Sequence, residues 1–308
     1  MAKRKKGGFA AIVTSDKFAQ AVFLFPAYLI FTVLFFIPVL TSVYYSFTDW
    51  NGITTQTNWV WFKNYADMFR NPDIFSTIPV TIYYAVLNSV TLIFVAFFVA
   101  LTLNRKSRIT TVLRISFFMP MLVSGIIVGF LFKEFYSPVI SDGNMGTLNR
   151  LLTSLGLGGL TQNWLGNKST VIMMIVLTGV WNQVGQTALI YLANMQSIPK
   201  ELYEAAIIDG AGYWRQTYHI TWKLISPSLR INLILLIINS LKTYDMIALL
   251  TGGGPGTASK VINLWIVERS IGGYEVGLGC AMSMVVTIFA FALVTVTQKL
   301  LTKRGADI

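Results

Sequence analysis

Apolar runs of membrane-crossing length alternate along this chain with short polar stretches. Six runs stand out, at about 21–47, 79–103, 115–135, 171–195, 229–250 and 276–301. A helix needs roughly 20 apolar residues to cross a bilayer core about 30 Å thick. Each run is therefore predicted to be a transmembrane helix, and the fold class to be an all-α integral membrane protein with six transmembrane helices. Pro26 and Pro38 are expected to bend the first helix, and Pro120 marks the entry of the third. The first run is too long for a signal-peptide core and shows no small-residue cleavage site, so it is expected to be retained. Between the runs, 49–77 is polar and aromatic, with Trp50, Trp59 and Trp61 suited to a membrane interface. The stretch 137–168 is glycine-containing, with a short amphipathic piece at 148–155. No separate soluble domain is read, and no internal repeat emerges.

Composition supports this pattern. Hydrophobic residues make up 54% and charged residues 12%, against about 25% charged in soluble domains. The net charge of +11 would suggest nucleic acid in a soluble protein. Its distribution points elsewhere. Six spans put both termini on one side. The N-terminal segment, the cluster Arg105, Lys106, Arg108 and Arg114, the stretch leading into the fifth run and the tail together hold 16 of the 24 lysines and arginines. The other three loops hold 7, balanced by 7 acids. The basic side is predicted to be cytoplasmic. There it faces anionic lipid headgroups and any cytoplasmic partner, and no nucleic-acid partner is expected.

The longest polar-rich stretch between two apolar runs is 199–227. Ser197 is a candidate N-cap, Pro199 falls in a first helical turn, and Glu201 and Glu204 suit the positive end of the helix dipole. Asp209-Gly210 followed by Gly212 signals a turn, and 213–224 reads as a second amphipathic segment. The predicted unit is helix, tight turn, helix at the membrane surface. Ala205 and Ala206 let a partner approach the backbone closely. Glu204 offers one charge to a basic group, and Gly210 permits a positive φ. An interfacial amphipathic helix with an incidental turn is the plainer alternative.

Glu204-Ala205-Ala206, Asp209-Gly210-Ala211 and Ile220 resemble the EAA loop of importer-type ABC transporter permeases, above all their carbohydrate-uptake branch. The family has Leu-Pro shortly after the isoleucine, where this chain has Trp222-Lys223. WFKNYADMFRNP at 61–72 and YDMIALLTGGGPG at 244–256 resemble the same family in order and spacing. An Asn-Thr pair often follows the first of these, where this chain has Val80-Thr81. The resemblance implies a type I ABC importer transmembrane architecture. It divides the chain into a tail, first helix and outer loop (1–78), a five-helix permease core containing the EAA loop 197–227 (79–301), and a cytoplasmic tail (302–308). It implies that Glu201, Glu204, Ala205, Ala206, Asp209, Gly210 and Ala211 couple the chain to an ATPase. It implies as partners a second homologous permease chain, two cytoplasmic ATPase subunits and an extracytoplasmic solute-binding protein, in a bacterial or archaeal inner membrane. ATP and Mg would belong to the ATPase, with no cofactor bound by this chain.

The remaining chemistry is sparse. GGGPGTASK at 252–260 lacks the P-loop spacing, since Lys260 is followed by Val261, so a turn capping the fifth span is expected. One histidine, His219, and one cysteine, Cys280, leave little material for a metal site, a disulfide or a catalytic constellation. Polar residues inside spans are costly and usually face a cavity or a partner helix. Trp181, Asn182, Gln183 and Gln186 lie near mid-depth in the fourth run, with 182 and 186 on one face. Asn239, Lys242, Tyr244 and Asp245 cluster in the fifth, where Lys242 and Asp245 are spaced to pair along a helix. Both sets suit a wet path for a sugar. Interhelical hydrogen bonding is the alternative. The leading expectation is the membrane subunit of an ATP-driven importer for an oligosaccharide or sugar derivative. A self-sufficient secondary transporter or channel leaves the EAA-like loop unexplained. An intramembrane enzyme lacks its acids, since Asp245 is the only one in a span apart from Glu134 at the very end of the third.

Overall fold

A computed structural model of the chain describes residues 16–105, 107–138 and 145–303. The basic run Lys3 to Lys6, Lys106 and the tail beyond Lys303, all used above, lie outside the described residues. The chain forms two compact units, Met1–Asp67 with Arg269–Met284, and Met68–Glu268 with Val285–Ile308.

In the first unit, α1 runs from Asp16 through a π turn at Thr32–Phe36 to Tyr45. The wide turn sits just before Pro38, whose ring has no N–H to give. None of its apolar stretch Val22–Tyr45 is buried. A helix apolar all round with no protein over it suits lipid. After α1 the chain folds back on itself. Asn64, at the start of α2 (Lys63–Arg70), is buried and donates to the carbonyls of Ser46 and Thr48 at 2.9 and 2.8 Å. An isolated antiparallel bridge joins Thr48 and Trp59. Near the start of α13 (Val276–Lys303), Gly277 lies so close to the Thr48 carbonyl that a Cβ has no room.

The second unit holds the packed core. Helix α3 (Pro72–Leu103) begins seven residues before the predicted second span, because Asn71 caps it by accepting from the N–H groups of Asp73 and Ile74. Along α3, Thr81, Ala85, Asn88, Leu92, Ala96, Ala100 and Leu103 are buried at helical spacing. This stripe lies along α7 (Val171–Gln196). Small residues let the two backbones approach. In lipid that packing, rather than escape from water, holds helices together.

The third predicted span is broken. Helix α4 (Arg108–Leu122) and helix α5 (Gly125–Phe135) meet at 104°. Pro120 removes a donor, Val123 turns extended, and Ser124 starts α5 as its N-cap. A short α6 (Thr147–Ser154) follows close to its expected place. The predicted fifth span is broken as well. Helix α10 (Ser226–Leu241) ends at Lys242, and α11 (Asp245–Leu250) begins after Tyr244 leaves helical geometry. Asn263 of α12 (Ile262–Val267) donates to the freed Leu241 carbonyl at 2.8 Å. The Gly252–Gly256 loop then closes as a turn after α11. Gly252 donates to Ala248, and the buried Ser259 hydroxyl donates to Gly254.

Among the described residues, four helices are long and apolar enough to cross a membrane, or up to six if each bent pair is one span. The second bent pair joins α9 (Tyr213–Leu224), expected at the surface, to α10 at 65°.

Candidate functional site: coupling loop and translocation path

Between α7 and α9 lies α8 (Lys200–Ile208). Ser197 does not cap it, which corrects the reading above. Its hydroxyl donates back to Asn194 at the end of α7, and Pro199 stands at the cap position. Proline makes the next turn stiff but offers no side-chain acceptor. The far end of α8 is closed by a double bond pair. The Ala211 N–H donates to the Ala206 carbonyl at 2.8 Å, and the Gly210 N–H to Ile207 at 3.0 Å. That six-to-one and five-to-two pattern needs a left-handed residue between them. Gly210 supplies it, with φ of 76°.

The loop is anchored from one side. The Tyr203 hydroxyl and the Thr221 hydroxyl of α9 lie 2.9 Å apart in a hydrogen bond. Gln216 donates to the Ala211 carbonyl. The Arg105 guanidinium sits 4.6 Å above the Tyr213 ring, and Trp222 meets Phe97 of α3 edge-on. On the other side it is bare. Glu201, Glu204, Ala205, Asp209 and Gly210 are exposed, while Ala206 and Ala211 are half-buried. Ile208 is 87% and Trp214 67% exposed. Large apolar side chains thus stand out among acids on both sides of the Gly210 turn, the kind of exposed patch that marks an interaction surface with protein or membrane.

The path residues divide. Asn182 is half-buried, and its amide donates to the carbonyls of Pro120 and Val123, so it serves the α4–α5 break. Trp181 and Gln186 are exposed. Trp181 keeps its ring 5.1 Å from Phe132. Asn239, Lys242 and Asp245 are exposed and Tyr244 is half-exposed. The expected Lys242–Asp245 pairing along the helix does not form. Lys242 ends one helix and Asp245 opens the next. Among the described residues the ion pairs are Lys260–Glu268 and Arg269–Glu275. Sequence reasoning missed Asn88, which is buried and donates to the Ser240 hydroxyl just before the break. A polar residue on the small-residue stripe of α3 was the available signal.

Residues 93–304 match the family described as the binding-protein-dependent transport system inner membrane component. The chain belongs to that family. This permease is 31% identical to the probable starch degradation products transport system permease protein AmyD of Thermoanaerobacterium thermosulfurigenes, over 92% of this chain and 93% of the relative. It is 33% identical to the diacetylchitobiose uptake system permease protein NgcF of Streptomyces coelicolor, over 88% and 79%. Its fold resembles a solved bacterial ABC transporter involved in import of the acidic polysaccharide alginate, with a TM-score of 0.82 at 21% identity, covering 96% of this chain and 98% of that one.

Proposed function

We propose that this permease imports a carbohydrate, an oligosaccharide or sugar derivative, as one of two permease chains above two cytoplasmic ATPase subunits. A solute-binding protein delivers the sugar from outside, and ATP is hydrolysed on the partner. Both termini and α8 face the cytoplasm in this reading, as the distribution of basic residues supports. The observation that carries it is α8 itself: a short helix with exposed apolar and acidic residues, locked by the Gly210 turn and tied through Tyr203 to the helix leading into α10. A push on α8 is then transmitted to the α10–α11 break, where Asn239, Lys242, Tyr244 and Asp245 stand with Trp181 and Gln186 as candidate path residues. The sugar class is supported by the relatives named for starch products and diacetylchitobiose.

Reconstitution tests this. Proteoliposomes with the permease pair, the ATPase and the binding protein are expected to take up labelled oligosaccharide only with ATP. Uptake by the permease alone, driven by an ion gradient, would overturn the reading.

A further inference from the structure

The first unit carries a half-open cavity of about 190 Å³ that coupling and translocation leave without a role. Three segments build it. Asp49 and Trp50 come from the chain after α1, Lys63 and Asp67 from α2, and Tyr274 and Glu275 from the entry to α13. The frame is stiff. Beneath it, Asn64 ties the Ser46 and Thr48 carbonyls together. The Gly277 N–H donates to the Trp50 carbonyl at 2.8 Å. The Trp50 ring stacks on Tyr45 with centroids 3.9 Å apart, and its indole N–H donates to Thr54. Tyr274 is held at φ of 53°. A bulky residue adopts that conformation only at a cost that the surrounding structure must offset, and such strain gathers at binding sites.

An indole and a phenol here share a cavity with carboxylates and one amine. Aromatic rings take the apolar C–H face of a sugar, and a carboxylate accepts two of its hydroxyls. Asp49 is already engaged by Asn58, and Glu275 by Arg269, which leaves Asp67 to accept. The volume falls below the roughly 300–1,000 Å³ of drug-sized pockets, so one ring fits and a whole oligosaccharide does not. Three carboxylates face one lysine in the lining, so a carboxylated sugar is repelled.

The geometry points to a subsite for a single neutral pyranose ring, free or at the end of a longer sugar, held between Trp50, Tyr274 and Asp67. It rests on the carbohydrate-import reading and adds a class to it: neutral over acidic.

The test is saturation-transfer NMR on the full chain in lipid nanodiscs, without the other subunits. The probes are methyl glucoside, methyl galactoside and N-acetylglucosamine, with glucuronate and galacturonate as acidic counterparts. At least one neutral ring is expected to bind, with the acids about ten-fold weaker. Asp67→Asn, an exposed and isosteric change, and Trp50→Leu are each expected to weaken the neutral ring about ten-fold. Failure of every neutral ring to bind, equal binding of the acids, or wild-type binding by Asp67→Asn overturns the subsite. ATP-driven uptake by the reconstituted complex is read separately. Sugar uptake that persists without any binding at this cavity overturns the subsite alone. A wild-type complex that imports no carbohydrate overturns the import reading.

Discussion

The Asn182 side-chain amide on α7 donates to the Pro120 carbonyl at 2.8 Å, at the point where the third span breaks. A second donation, to Val123 at 3.3 Å, takes up the next carbonyl of the break. Unsatisfied backbone groups are tolerated at membrane depth only where protein or water satisfies them. Asn182→Leu leaves both carbonyls without this donor. It is expected to lower stability by about 1–3 kcal/mol, seen as a lower thermal midpoint in detergent. A wild-type midpoint with impaired uptake would instead place Asn182 in the sugar path.

Gly185 gives a second test of the same junction. The Phe117 carbonyl of α4 occupies the space where a Cβ at residue 185 would stand. Gly185→Ala is expected to destabilise by about 1–3 kcal/mol through overpacking. The thermal midpoint of the purified chain checks it, and an unchanged value would mean α4 moves aside freely.

The coupling role proposed for α8 predicts loss of function without loss of fold. Gly210 has positive φ and open space around its Cβ position, so the strain of Gly210→Val is in the backbone alone. Truncating a buried interfacial carboxylate costs roughly 2–5 kcal/mol, which sets the scale for Glu204→Ala if α8 enters an ATPase groove. Both variants are expected to insert normally and to lose uptake together with substrate-stimulated ATPase activity. Full stimulation in both would remove the coupling role.

Lys242 and Asp245 flank the break in the predicted fifth span and do not pair. The energies of Lys242→Met and Asp245→Asn are therefore expected to add. A double-mutant cycle on thermal stability should show coupling below about 0.5 kcal/mol. A larger coupling would mean that the two charges meet in another state of the transport cycle.

The outer loop of the first unit carries a pH dependence. The Asn58 side-chain amide, followed by the Asn58 N–H, holds the Asp49 carboxyl below its ordinary 3.8. A carboxylate lowered in the folded state stabilises above the unfolded value, and that stabilisation is lost as pH falls through the folded value. The 49–58 loop should stay ordered at neutral pH and loosen only below 3.8. Near-UV circular dichroism of wild type against Asp49→Asn reads this, the acid transition being expected in wild type alone.

The sequence by itself determined the apolar spans, the α8 loop and the turn at Gly210. Hydropathy and glycine at a reversal are local properties, and lipid leaves a backbone little choice but helix. The start of α7, the whole of α9 and the start of α13 fall where the pattern put them. Only the tertiary structure decided where helices stop inside the membrane. The breaks at 123–124 and 242–244 are capped by Asn182 and Asn263, the first of them 59 and 62 residues away along the chain. Neither capping residue lies in the same apolar run as the break it caps. The expected Lys242–Asp245 pair failed for that reason, since a spacing of three brings side chains together only if the helix continues between them. The cavity at Trp50, Asp67 and Tyr274 was hidden likewise, because Tyr274 is more than 200 residues from the other two along the chain, brought to them with the help of a Gly277–Trp50 backbone hydrogen bond that leaves no mark on composition.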